Sequence, residues 1–224
     1  MDYTSEFKKY ARSEKGISSL TMEYHQKKIE ASMTPMILEE RELRVTMMSV
    51  FDRLMMDRIL WVAGGVNDTM STIVQAQLMF LDSMDVKDIT MHIDSPGGSV
   101  KSGLSIVDVM DYVKSDIVTV NTGMAASMGS VLLGAGTKGK RSSLRFSKVM
   151  LHQSSGGFGG NIQDAEIDWK EWQEVNQTLF DLLGEYCGKS AEEVKNDSKR
   201  DFWLSAQQAV DYGIIDEVIQ GKKR

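Results

Sequence analysis

A lone serine, Ser127, stands among small residues in Gly123-Met124-Ala125-Ala126-Ser127-Met128-Gly129-Ser130. The apolar run Ile117–Asn121 before it and Val131–Ala135 after it predict a strand, a tight turn and a helix. A hydroxyl at a helix start lies beside backbone N–H groups that the helix leaves unused. Such groups stabilise an oxyanion forming on an attacked carbonyl. Gly123, Ala125, Ala126 and Gly129 leave room for a substrate backbone to come close. The pattern Ala-x-Ser-x-Gly is one residue away from the Gly-x-Ser-x-Gly elbow of α/β-hydrolases. Small residues at such a turn equally serve packing, so the chemistry depends on partners elsewhere.

A serine nucleophile needs a base, and the chain has three histidines. His25 lies in a polar leader with nothing to fix it. His92 falls inside a strand, a position that suits a packed or surface side chain. His152 ends the strand Lys148–Leu151 just before a glycine-rich segment, where side chains reach a cleft. An imidazole titrates near neutrality and can take the serine proton and return it to a leaving group. A third group must orient the imidazole. Asp201, between the charged Lys199-Arg200 and the apolar Phe202-Trp203-Leu204, is a candidate carboxylate; helix capping or a salt bridge explains it equally well. A second oxyanion donor is offered by Pro96-Gly97-Gly98, so that the amides of Gly98 and Met128 would converge. Pro-Gly is also a standard type II turn. Phosphate binding at this glycine-rich helix start is disfavoured, because no Gly-Lys-Ser/Thr or Gly-x-Gly-x-x-Gly pattern follows.

These residues need a frame. A short helix is predicted over Val50–Met56 and a strand over Arg58–Ala63, ended by Gly64-Gly65. Asn67 or Asp68 can cap a helix whose Met70, Ile73, Val74, Leu78 and Leu81 share one face. Then come the strand Ile89–Ile93, the turn Asp94–Gly98, a helix from Ser99 through Val113, and the serine strand. This alternation predicts a mainly parallel sheet with right-handed crossovers. Arg141–Phe146 and Val149–His152 read as strands. A long helix carries Trp169, Trp172, Val175, Leu179, Leu182, Leu183 and Tyr186 at spacings of three and four, is weakened by Gly184 and stopped by Gly188. It either packs on the core or projects into another subunit. Helices from Ala191 and over Ser205–Tyr212 and a strand over Ile214–Ile219 close the chain.

Length and composition bound the class. The 224 residues suit one substantial core, and 42% hydrophobic with 26% charged residues excludes a disordered chain. A net charge of −6 argues against a nucleic-acid footprint. The single cysteine, Cys187, excludes an internal disulfide framework and fits a reducing compartment. No cysteine–histidine cluster suits zinc, and no run approaches the roughly 18 apolar residues of a membrane span. A soluble, cytoplasmic protein is expected. The 16 methionines read as adaptable core filler.

Several motifs then fall in order: Ser95-Pro96-Gly97-Gly98, Met124–Gly129, Gly139-Lys140-Arg141, Val149-Met150-Leu151-His152-Gln153, and Arg200-Asp201 before Phe202-Trp203-Leu204-Ser205-Ala206. From about Pro35 to Ile219 the chain resembles the ClpP family, the proteolytic subunits of Clp ATP-dependent proteases. The resemblance implies an α/β, crotonase-like fold and a serine endopeptidase. Ser127 would be the nucleophile, His152 the general base and acid, and Asp201 the orienting carboxylate. Gly98 and Met128 would give the oxyanion-hole amides. The chain order Ser…His…Asp also differs from the α/β-hydrolase order.

The resemblance further implies two stacked seven-membered rings around a chamber, fed by an AAA+ unfoldase such as ClpX, ClpA or ClpC that uses the ATP. No cofactor or metal is expected in this chain. Residues 1–33 would be a propeptide, 34–48 an axial-pore loop, 49–153 with 188–219 the catalytic head, 154–187 a handle that interlocks the rings, and 220–224 a tail. Arg200 matches a ring-contact arginine; Leu78, Met79, Tyr112 and Ile219 match apolar docking positions for the unfoldase, while His92 and Ser142 depart from them. Asp94 stands where the family usually has asparagine, Ser154 replaces the proline that commonly follows His-Gln, and the axial-loop segment lacks its usual glycine. Two other readings compete: an inactive scaffold subunit of a mixed ring, and an acyl-CoA hydratase or isomerase on the same fold, which shares a two-amide oxyanion hole.

Overall fold

The structure, a computed structural model, describes residues 36–41, 44–157 and 161–221. The leader before them lies outside the described residues, as do Phe158–Gly160 of the glycine-rich segment. The chain forms two units, divided after Met56. In the first, strands β1 (Met36–Arg41) and β2 (Arg44–Ser49) pair antiparallel, with Met36 opposite Ser49. The described part of the segment 34–48, expected as an axial-pore loop, is thus a two-stranded hairpin. Helix α1 (Val50–Met56) follows, capped reciprocally by Ser49 and Asp52, each backbone N–H donating to the other's side-chain oxygen.

The second unit carries the site. Strands β3 (Ile59–Ala63), β4 (Ile89–Ser95), β5 (Ile117–Ala126), β6 (Arg141–Leu144) and β9 (Glu217–Ile219) lie in that order, all parallel. The predicted strand–helix alternation holds: α2 (Asp68–Met84) links β3 to β4, and α3 (Val100–Tyr112) links β4 to β5. Strand β5 then forks. Its first half pairs with β6, and its last residues, Met124 to Ala126, pair in parallel with β7 (Lys148–Leu151). The fork is held where Asn121 Nδ2 donates to the Lys148 carbonyl and Ser147 Oγ donates to the Asn121 carbonyl. Strand β8 (Phe202–Ser205) pairs antiparallel with β7.

Burial alternates along β4: Ile89, Met91, Ile93 and Ser95 are buried, while Thr90, His92 and Asp94 face the less covered side. Helices α2 and α3 and the short α4 (Met128–Gly134) add Val74, Leu78, Leu81, Ile106, Leu132 and Leu133 to that core. Two expectations change here. Ile73 is half-exposed, because the buried stripe of α2 runs Ser71, Val74, Leu78, Leu81 and leaves it to one side. Leu78 is fully buried against the sheet and offers no side-chain surface to a docking partner, unlike Met79, Tyr112 and Ile219, which are exposed.

Helix α5 (Ile162–Cys187) starts at an Asn161 cap and stops at Gly188, whose φ of +66° ends the helix as anticipated. Its C-terminal half packs on the core, as one of the two sequence readings expected, and its N-terminal half is largely exposed. Leu179, Phe180, Leu183 and Gly184 are buried, whereas Ile162, Ile167 and Trp169 are exposed. Gly184 is a close-approach residue: a Cβ there would lie 2.9 Å from the Lys189 carbonyl oxygen. Helices α6 (Ala191–Asp197) and α7 (Ala206–Tyr212) each begin with a full capping box, Ser190/Glu193 and Ser205/Gln208.

The Gly139-Lys140-Arg141 motif acts in the frame. Arg141 is 3% exposed and forms a bidentate pair with Asp216 at 2.7 and 3.0 Å. It also donates to the carbonyls of Tyr186 and Gly213, tying the ends of α5 and α7 to β6.

Candidate active site

Ser127 follows the last residue of β5 and precedes α4, and its φ of 54° and ψ of −124° are unusual for a side-chain-bearing residue. Such a conformation costs of order 1–3 kcal/mol and persists only where surrounding bonds impose it. Here both backbone groups are tied. The Ser127 N–H donates to the Met150 carbonyl at 2.9 Å, and Ser130 donates to the Ser127 carbonyl through its N–H and its Oγ. The Ser127 hydroxyl makes no capping bond to α4, which leaves it available for chemistry.

The second turn presses against the first. Ser95 Oγ donates to the Gly64 carbonyl and accepts from the Gly97 N–H, while Val66 and Gly98 form a bridge through Gly97 and Ser99. Gly97 has φ +91°, and a Cβ on it would lie 2.6 Å from Ser127 Cβ and 2.9 Å from the Met128 nitrogen. Only glycine allows that contact. Gly98 therefore sits directly after the residue that touches the first amide of α4. The Gly98 and Met128 N–H groups take no part in the backbone hydrogen bonds among the described residues. Val66 was missed by sequence reasoning, and Ser95 was read only as part of the Ser95-Pro96-Gly97-Gly98 motif, without the bonds its hydroxyl makes to Gly64 and Gly97.

Asp94 lies where β4 and β5 change register, between Ile93 and Ser95. Its Oδ1 accepts the Met124 N–H at 2.9 Å, three residues before Ser127, and its carboxylate fills the space over Gly123. The departure from asparagine thus keeps an oxygen acceptor against the strand that ends in the serine.

His152 and Asp201 are brought together by β7 and β8. Leu151 is the cross-strand partner of Phe202, so the next residue on one strand faces the preceding residue on the other. His152 Nδ1 stands 3.5 Å from Asp201 Oδ1, with the histidine mostly buried and the aspartate exposed. That is an ion-pair distance slightly beyond a good N–H···O bond. Ser127, Met128, Ser130 and His152 line one small cleft with Val100, Ser154, Asn176 and the apolar end of α5. His92 lines no part of it. It stacks on Trp61 with ring centroids 4.9 Å apart, its Nδ1 buried without a partner, and burial pushes its pKa down. Of the two histidines among the described residues, His152 is therefore the one at the cleft; His25 lies outside the described residues.

This arrangement sets a strained serine and an imidazole on one cleft, a carboxylate beside the imidazole, and the Gly97-Gly98 turn against the serine. Comparison with known proteins agrees. Residues 40–222 match the Clp protease family model. An ATP-dependent Clp protease proteolytic subunit of Bacteroides fragilis is 47% identical over 96% of this chain and 98% of its own length. One from Porphyromonas gingivalis is 44% identical over 98% of this chain and 100% of its own. Another, from Bacteroides thetaiotaomicron, is 46% identical over 96% of this chain and 98% of its own. A match of this length and identity leaves one assignment: the chain belongs to the Clp protease family.

Proposed function

We propose that this chain is the peptidase subunit of an ATP-dependent protease, a serine endopeptidase that cuts unfolded polypeptides into short peptides inside a closed chamber. The observation that carries the reading is that Ser127 and His152, from separate strand ends, line one cleft while Asp201 stands 3.5 Å from His152 Nδ1. Ser127 Oγ attacks the scissile carbonyl carbon as His152 Nε2 takes its proton. The N–H groups of Gly98 and Met128 stabilise the oxyanion. Collapse of the intermediate expels the amine, which leaves with the proton from His152, and an acyl-serine remains. Water, deprotonated by His152, then releases the acid and restores the serine. Asp201 holds the imidazole Nδ1–H and balances its charge.

ATP hydrolysis belongs to an AAA+ unfoldase that docks on Met79, Tyr112 and Ile219, and the chain itself holds no cofactor. The exposed Ile162, Ile167 and Trp169 of α5 are covered between two rings, with the exposed Arg200 at the same contact. The site of action is the cytoplasm; among the described residues no helix is long and apolar enough to cross a membrane. The hydratase reading wants glutamates at the oxyanion turn, and none lines the cleft among the described residues.

Intact and native mass of wild-type and Ser127→Ala protein test the proposal, with a fluorophosphonate probe alongside. Loss of an N-terminal piece in wild type alone, a double-ring mass and labelling at Ser127 are expected. An unlabelled, unprocessed small oligomer from both would overturn it in favour of a scaffold subunit.

A further inference from the structure

The cleft beside Ser127 has apolar walls, Val100, Met128, Val131, Leu179, Phe180 and Leu183, and, besides Ser127, Ser130 and His152, the polar residues Ser154 and Asn176. Their hydrogen bonds fix which atoms face what. The Ser154 backbone N–H can only donate, so the Asn176 atom opposite it at 3.2 Å is the carbonyl Oδ1. The Ser154 hydroxyl donates to the same oxygen at 2.8 Å and accepts the Trp172 indole N–H at 2.5 Å. A proline at 154 would have neither the N–H nor the hydroxyl. The Asn176 amide is therefore locked at its oxygen end, and its Nδ2 donates to nothing among the described residues. The Ser154 oxygen retains one lone pair. The cleft thus pairs apolar walls with one free amide donor and one free acceptor.

We propose that Asn176, oriented by Ser154, is a specificity-determining residue that favours glutamine as the residue whose carbonyl Ser127 attacks. This rests on the peptidase reading above. The attacked carbonyl carbon is bonded to the Cα that bears that side chain, so the side chain enters the cleft adjoining Ser127. A glutamine stem lies along Leu179, Phe180 and Leu183. Its carbonyl accepts from Asn176 Nδ2, and its amide donates to Ser154 Oγ. Leucine fits the walls and leaves the Asn176 amide without a partner, which disfavours it relative to glutamine.

The experiment uses the assembled full chain and two fluorogenic peptides identical except for glutamine or leucine before the scissile bond. The readout is the glutamine-to-leucine ratio of kcat/KM. Asn176→Leu is expected to lower that ratio about tenfold, the worth of one net hydrogen bond, chiefly through KM for the glutamine peptide. Ser154→Ala, which frees the amide to rotate, is expected to lower it in the same direction by less. If Asn176→Leu fails to assemble, Ser154→Ala carries the test alone. An unchanged ratio in a variant that still cleaves the leucine peptide overturns this inference and leaves the peptidase reading intact. Wild-type protein that cleaves neither peptide and is not labelled at Ser127 overturns both.

Discussion

His152 and Asp201 meet because Leu151 and Phe202 are cross-strand partners, which sets Nδ1 of one 3.5 Å from Oδ1 of the other across 49 residues of chain. The relationship is one of backbone register, so it survives changes in either side chain. Asp201→Asn is therefore expected to fold and assemble normally while kcat falls at least about a hundredfold, because an amide neither selects the imidazole tautomer nor balances its charge. Peptide hydrolysis and the rate of fluorophosphonate labelling should fall together.

Asp94 holds the serine strand through the Met124 N–H. Asp94→Ala removes that acceptor at the register change and is expected to lower kcat about tenfold with little change in KM. Asp94→Asn keeps an oxygen at Oδ1 and should restore most of the rate. Steady-state kinetics of the two variants checks the pair, and failure of asparagine to rescue would point to the charge instead.

Arg141 and Asp216 clamp the frame behind the site. Removing one partner of a buried ion pair costs about 3–5 kcal/mol, so Arg141→Ala should lower the thermal midpoint sharply or prevent assembly. Burial raises the Asp216 carboxyl, but hydrogen bonds from the Arg141 side chain and backbone and from the Gly139 N–H outweigh it and hold the pKa below the usual range. A depressed carboxylate adds stability above its unfolded pKa and loses it as pH falls through the folded one. The stability advantage of wild type over Asp216→Asn should therefore be full at neutral pH and shrink in acid. Melting curves from neutral pH down to about pH 3, spanning the carboxylate range, check it.

Cys187 ends α5, and burial pushes its thiol up to about 12. The thiolate is the reactive form. Alkylation by iodoacetamide at pH 8 should be slow in the folded protein and fast in denaturant, as mass spectrometry would show.

Much of the machinery was legible in the residues, for a physical reason. Strand, turn and helix are local patterns, so the serine turn, the strand end at His152 and the caps at Asn67, Ser99, Ser190 and Ser205 are written in neighbouring residues. The ordered motifs from Ser95 to Ala206 carried the family resemblance on the same basis, and the Clp protease match bears it out. Other facts depend on which distant segments pair. Helical periodicity made Leu78 and Ile73 equal members of one face, and only packing against the sheet separated a core residue from an exposed one. Arg141 reads as a surface charge until the ends of α5 and α7 close over it. Asp201 competes with many carboxylates until β7 and β8 set their register. The Ser154–Asn176–Trp172 bonds join a loop to a helix 18 to 22 residues further on, and no periodicity records them. Chemistry-bearing residue types and local elements follow from short-range pattern; the site itself follows from long-range strand pairing and burial, which tertiary structure alone decides.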